Sequence, residues 1–154
     1  MARKEVRVFL DSNVILSGLI SEKGPPRIIL DILSLDLPFI TGVTGRYNII
    51  EIERNLTRKA PQALPVYKRY FSVLHLKIIP TPTAKDIKQY SGHIADKDAP
   101  VLVSAIKGKA DFLVTGDKKD FDKLKAKGVY PFKIVTPTEF VDVALSAILK
   151  DREK

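Results

Sequence analysis

Cysteine is absent from the 154 residues, and only two histidines are present. The lack of cysteine excludes disulfide bonds, zinc sites built on thiolates and cysteine nucleophiles. Two histidines leave little material for a histidine-rich metal site. Any metal that this chain binds must therefore be held by oxygen ligands, such as the carboxylates of Asp and Glu.

Long apolar runs are also missing, because no stretch approaches the roughly 20 apolar residues that a membrane helix needs. The charged segment 1–7 leads straight into a strand pattern, which argues against a secretory signal. We therefore expect no membrane contact and a cytoplasmic location.

The composition is that of a globular protein, with 45% hydrophobic and 29% charged residues. The length fits one domain over residues 1–154 and is cramped for two. We expect a structured core over about 5–149 and a tail at 150–154. Lys and Arg outnumber Asp and Glu by 26 to 18. This excess favours a polyanionic partner, although a lysine-rich surface tuned for solubility explains it equally well.

Apolar periodicity predicts strands that alternate with helices. The predicted strands cover 6–10, 36–41, 76–79, 110–115 and 132–135. The predicted helices are 14–20, a helix opened by the two prolines at 25–26, one capped by Thr44 and running to about Lys59, then 64–74, 83–90, 101–107 and 138–149. This alternation predicts an α/β fold with three layers, in which helices flank a central, mostly parallel sheet of about five strands.

Two aspartates follow strands of this predicted sheet. Asp11 ends the first strand, and Asp117 follows the strand ADFLVT. Ligands of open α/β sheets collect at the carboxyl ends of the strands, so these two carboxylates are the best candidate pair. A single acid at such a place is more often a helix cap or a turn residue.

Glu51 and Asp98 complete the set of candidate acids. Glu51 is flanked by Ile50 and Ile52 in an amphipathic helix, which places it near the boundary of the core. Asp98 opens the apolar helix DAPVLVSAI, where it serves equally well as an N-cap, and the residue pattern alone does not separate it from Asp96. If the four carboxylates meet, their repulsion calls for divalent cations, naturally Mg²⁺ or Mn²⁺. Such a cluster suits phosphodiester hydrolysis, in which one ion activates a water and a second, roughly 4 Å away, stabilises the leaving oxygen.

The sequence resembles the PIN-domain nucleases over nearly its whole length, and especially the small prokaryotic PIN proteins that are toxins of toxin-antitoxin pairs. The resemblance is carried by VFLDSNVILSGL, NIIEIERNL, DKDAPVLVSAIKGKADFLVTGDKKDF and IVTPTEFV in this order. It implies a metal-dependent ribonuclease whose metal ligands and catalytic residues are Asp11, Glu51, Asp98 and Asp117.

The same resemblance implies three supporting residues and two partners. Asn13 is similar to the small polar residue beside the first acid, Thr115 to the hydroxyl residue that orients the fourth acid, and Asp120 to an extra acid near the metal. Family members commonly form homodimers and are inhibited by a small antitoxin, so we expect both here. RNA is the expected substrate, and the cations near the predicted cleft that are candidates for contacting its phosphates are Arg46, Lys118 and Lys119.

Other functions fit the residues less well. A phosphatase of this fold class needs a second aspartate two residues after the first, where this chain has Asn13. A receiver domain needs a phosphorylatable aspartate after a middle strand, and Ile78-Ile79-Pro80 offers none. The serious alternative is a catalytically inactive PIN-fold module that binds RNA or a protein without cutting. The presence of all four carboxylates argues against this alternative.

Overall fold

The computed structural model describes residues 5–90, 98–117 and 130–153, and the side chains up to residue 150. Its strands form one parallel sheet in the order β3-β2-β1-β4-β5. They are β1 (Val6–Leu10), β2 (Ile40–Gly45), β3 (Lys77–Ile79), β4 (Phe112–Val114) and β5 (Lys133–Val135). The predicted parallel sheet of five strands is therefore confirmed, with β1 at its centre.

Helices connect and cover the strands. They are α1 (Ser12–Ile20), α2 (Pro25–Ser34), α3 (Arg46–Lys59), a 3₁₀ turn (Pro61–Ala63), α4 (Leu64–Val73), α5 (Ala84–Lys88), α6 (Ala99–Lys107), α7 (Pro137–Glu139), a π-helical segment (Phe140–Leu145) and α8 (Ser146–Glu153). Within the described ranges, no helix is both long enough and apolar enough to cross a bilayer.

The sheet buries side chains on both of its faces. Along β1, Val8 and Leu10 pack into one core with α1, α2 and α3, while Phe9 points into a second core with α6. Because successive residues of a strand face opposite sides, this apolar run is what a strand buried on both faces requires. The arrangement confirms the predicted three layers.

The second strand lies further along the chain than the sequence predicted. We expected a strand at 36–41 and a helix capped by Thr44, but β2 extends to Gly45 and the helix begins at Arg46. The glycines of ITGVTG misled the prediction, because glycine is depleted in strands. In the folded chain the side chains of Leu76 and Leu33 pack closely against Gly42, so a Cβ there would force them to shift.

The last helical region begins and ends differently from the prediction. Thr136 and Glu139 form a capping box, in which the backbone N–H of each residue donates to the side chain of the other. The helix α7 therefore starts at Pro137. The predicted end at Leu149 is wrong, because α8 runs to Glu153 and includes most of the expected tail.

Candidate active site

A cleft of about 190 Å³ opens at the carboxyl ends of β1 and β4. Its walls include all four acids that the sequence singled out, Asp11, Glu51, Asp98 and Asp117. They come from four separate places: the end of β1, the middle of α3, the start of α6 and the loop after β4. The parallel sheet thus brings together carboxylates that are more than 100 residues apart in the sequence.

Asp11 is the most buried of these acids, with 7% of its surface exposed. Its Oδ1 accepts hydrogen bonds from the backbone N–H of Ser12 at 2.8 Å and from Nδ2 of Asn48 at 3.2 Å. Its Oδ2 accepts one from the hydroxyl of Thr115 at 2.8 Å. Asp11 is therefore the N-cap of α1 and a lining residue of the cleft at the same time.

Burial raises the pKa of Asp11 to about 6, because it disfavours the charged form. The hydrogen bonds from Thr115 and Ser12 oppose this rise, and the negative charges of Glu51 and Asp117 add to it. The carboxylates of the cleft therefore affect one another electrostatically, as like charges that share a site do.

Asn13 and Thr115 join the first and fourth acids. Nδ2 of Asn13 donates to Oδ2 of Asp117 at 2.9 Å, and Oδ1 of Asn13 accepts from the N–H of Gly116 at 3.0 Å. The hydroxyl of Thr115, besides donating to Asp11, accepts from the N–H of Asp117 at 3.0 Å. The loop after β4 is thus fixed against the start of α1.

Asn48 is a site residue that the sequence did not reveal. It is fully buried, and its Nδ2 donates to Oδ1 of Asp11 and to the hydroxyl of Ser12 at 2.9 Å. Tyr47 and Asn55 also line the cleft and were missed. The available signal was helical spacing, because residues three and four positions from Glu51 lie on its side of α3.

Glu51 and Asp98 reach the cleft from helices. Glu51 is half-buried on α3, at the edge of the apolar stripe, as its neighbours Ile50 and Ile52 predicted. Asp98 occupies the N-cap position of α6, yet its side chain makes no capping hydrogen bond to that helix. Its negative charge contributes, after burial, to the raised pKa of Tyr130. A capping role alone does not account for Asp98.

The chemistry of these donors can be compared with what a divalent cation needs. In the described residues, no three carboxylate or imidazole groups come close enough together to enclose a cation. Mg²⁺ is typically bound by one or two carboxylates, with waters and substrate phosphates as its other ligands. An open cleft lined by carboxylate oxygens fits such a loosely held ion, and it does not fit a caged structural metal.

Arg46, one of the predicted phosphate contacts, stands apart from this cleft. Arg46 is exposed at the first position of α3, beside Tyr47, and does not line the cleft. Lys118, Lys119 and Asp120 lie outside the described residues, as does Asp96, the alternative to Asp98.

Fold and cleft together define a class: a three-layer α/β protein with a parallel sheet whose strand ends present an acidic cleft. The family follows from the sequence match, since the PIN-domain model matches residues 7–119. The chain belongs to the PIN-domain family. No curated protein matches it.

Two solved structures share the fold. VapBC2 from Rickettsia felis, bound to a DNA fragment from the promoter, is 15% identical with a TM-score of 0.58, and the match covers 85% of this chain and 98% of the other. VapBC-1 from nontypeable Haemophilus influenzae is 15% identical with a TM-score of 0.61, covering 86% and 99%. At this identity the likeness establishes a common fold.

Proposed function

We propose that this PIN-domain protein is a metal-dependent ribonuclease that hydrolyses the phosphodiester bonds of RNA. The observation that carries the proposal is the cleft at the strand ends, where Asp11, Glu51, Asp98 and Asp117 line one space of about 190 Å³. Clustered carboxylates suit hydrolysis of a phosphodiester when they bind divalent cations. We further propose that the reaction takes place in the cytoplasm.

These four acids are the proposed ligands for Mg²⁺ or Mn²⁺. When bound, such an ion lowers the pKa of a water molecule and offsets the negative charge of the phosphate. The chain supplies the charge that attracts the cation, and the open cleft leaves room for phosphate oxygens and water beside it. No cysteine, serine or histidine nucleophile is needed.

The surrounding residues hold the ligands in place. Ser12, Asn48 and Thr115 each donate a hydrogen bond to Asp11, which leaves this buried carboxylate little freedom to rotate. Asn13 performs the same task for Asp117. With a pKa of about 6, Asp11 is mainly ionised at neutral pH and available to a cation.

We further propose that the protein is the toxin of a toxin-antitoxin pair, that it forms a homodimer, and that a small antitoxin inhibits it. The family resemblance and the fold shared with the VapBC structures support this assignment. We expect expression of the wild-type protein to arrest growth. Expression of Asp11→Asn at the same level should not arrest it. Equal growth in both cultures would contradict the toxin role.

A pair of glutamates on α3 tests the ribonuclease itself. Glu51 lines the cleft, whereas Glu53, two positions on, does not. We expect Glu51→Gln to reduce RNA cleavage with Mn²⁺ at least about 100-fold and Glu53→Gln to cleave like the wild type. Equal cleavage by both variants would contradict the assignment of the site. If the wild type binds RNA but does not cut it with either ion, the protein is an inactive binding module.

A further inference from the structure

The positive charge of the chain is concentrated in one part of the sequence. Residues 54–85 contain seven Lys or Arg and no Asp or Glu, against a net charge of +8 for the whole chain. This segment forms the C-terminal half of α3, then α4, the edge strand β3 and the start of α5. Such an asymmetry creates a local positive field that attracts polyanions.

The α3 part of this segment continues the face that lines the cleft. Glu51 and Asn55 are lining residues one turn apart. Arg58 lies three residues past Asn55 and seven past Glu51, on the same side of the helix and about 10 Å further along its axis. Arg54 lies on the adjoining, solvent-facing side, and both arginines are exposed.

Within the part of the chain that the structure describes, these cations form no ion pairs. Elsewhere, Arg7 pairs with Glu5, Arg27 with Asp31, and Lys107 with Asp86. Throughout the described ranges, by contrast, no ion pair involves a cation of the basic surface that we define here by Arg54, Arg58, Lys59, Lys68 and Arg69.

The helix dipole explains only part of this surface. Arg58 and Lys59 lie in the last turn of α3, where positive charge is favourable in any helix. Arg54 lies before that turn, and Lys68 and Arg69 are exposed on α4, which has no basic residue in its last turn. Because α4 packs against α3, the exposed cations of the two helices lie on neighbouring elements.

An RNA substrate needs such a surface, because the cleft itself is acidic. Four carboxylates repel the phosphates on either side of the scissile bond, and a bound divalent ion offsets the charge only of the phosphate beside it. Affinity for the rest of the strand therefore needs cations outside the cleft. We propose that the backbone of single-stranded RNA runs from the cleft along the C-terminal half of α3 onto α4, with its phosphates contacting the basic surface. This inference rests on the proposed ribonuclease function and adds the path of the substrate.

The test uses RNA binding, in the Asp11→Asn background so that the strand stays intact. The affinity of a single-stranded RNA of mixed sequence is measured from 50 to 300 mM NaCl for this parent and for its Arg54→Gln/Arg58→Gln derivative. Loss of two phosphate contacts should weaken binding about tenfold at 100 mM salt and reduce the slope of log K against log salt by about 1.4. The Arg54→Lys/Arg58→Lys derivative should keep most of the parent's affinity and most of its salt slope.

A matched control removes the same charge elsewhere. Lys133 is exposed on β5, the opposite edge of the sheet, and Lys150 is exposed on α8. Lys133→Gln/Lys150→Gln should bind RNA like the parent, and thermal unfolding of each variant shows whether it is folded. Equal losses in the two glutamine pairs, an unchanged salt slope, or no binding by the parent would overturn the proposed path. Cleavage of RNA by the wild-type protein in the same buffers tests the ribonuclease function separately.

Discussion

The hydroxyl of Thr115 donates a 2.8 Å hydrogen bond to the buried carboxylate of Asp11. These residues directly follow β4 and β1, neighbouring parallel strands, although 104 positions separate them in the sequence. The same hydroxyl accepts the N–H of Asp117, so one side chain positions two of the proposed metal ligands. Both acids are therefore held where the strand order of the sheet places them.

Thr115→Val tests this link, because it removes the hydroxyl and keeps the shape of the side chain. We expect about a 10- to 100-fold loss of metal-dependent RNA cleavage and a loss of about 1.5–3 kcal/mol in the free energy of unfolding at pH 7, since a buried charged acceptor loses a donor. Urea unfolding and initial rates measure the two effects.

Two variants make this result specific. Thr115→Ser keeps the hydroxyl and should retain most of the activity. Thr57→Val removes an exposed hydroxyl that donates to the carbonyl of Glu53 in the same helix, and it should leave cleavage unchanged. Full activity in Thr115→Val would show that the hydrogen bond to Asp11 does not matter for catalysis.

Much of the fold could be predicted from the sequence. Apolar runs at period 2 or 3.6 and proline at helix starts located five strands and most helices, because these signals are local. The β2 boundary was missed because the close packing of Leu33 and Leu76 against Gly42 arises only in the folded chain. Local sequence patterns do not reveal contacts between residues that are distant in the sequence.

The candidate site was predicted unevenly for the same reason. Asp11 and Asp117 follow strands, a position that has a general meaning in parallel sheets. Asn48 has no such marker, because its importance comes from its contact with Asp11, 37 positions away. Glu51 and Asp98 were identified with the help of the family resemblance, since a helical glutamate and an N-terminal aspartate are ordinary in themselves.

The raised pKa of Asp11 predicts how stability depends on pH in EDTA. Its pKa is about 6 in the folded protein against 3.8 as the ordinary value, so the folded state binds the proton more tightly. The stabilisation from neutral Asp11 is fully present below about pH 3.8 and is lost as the pH rises through 6. This loss amounts to about 3 kcal/mol by linkage.

Asp11→Asn removes this titration and should be more stable than the wild type at pH 7. The difference between the two proteins in the free energy of unfolding, measured with urea, should shrink as the pH falls from 7 to 4.5. Taking this difference cancels the contributions of other titrating groups. A difference that stays constant over this range would contradict the conclusion that burial raises the pKa of Asp11.

Asn48→Asp places a second carboxylate where an amide nitrogen now lies 3.2 Å from Oδ1 of Asp11. Two carboxylates so close cannot both ionise, so we expect a loss of about 3 kcal/mol in stability at pH 7 that becomes smaller at pH 5. Asn48→Leu loses the same hydrogen bond without adding charge, and its stability loss should vary little with pH. Urea unfolding at the two pH values distinguishes these outcomes, and identical pH dependence in both variants would refute the argument.

The central claim is that the carboxylate cleft makes this protein a metal-dependent ribonuclease. Its most direct test compares cleavage of a structured and an unstructured RNA by the wild type, Asp11→Asn and Asp142→Asn, purified identically, in Mn²⁺, Mg²⁺ and EDTA. Asp142 is an exposed acid of the π-helical segment and controls for loss of one charge. We predict cutting by the wild type and Asp142→Asn with a divalent ion, and none by Asp11→Asn or in EDTA. Cutting that survives in Asp11→Asn or in EDTA would contradict the account.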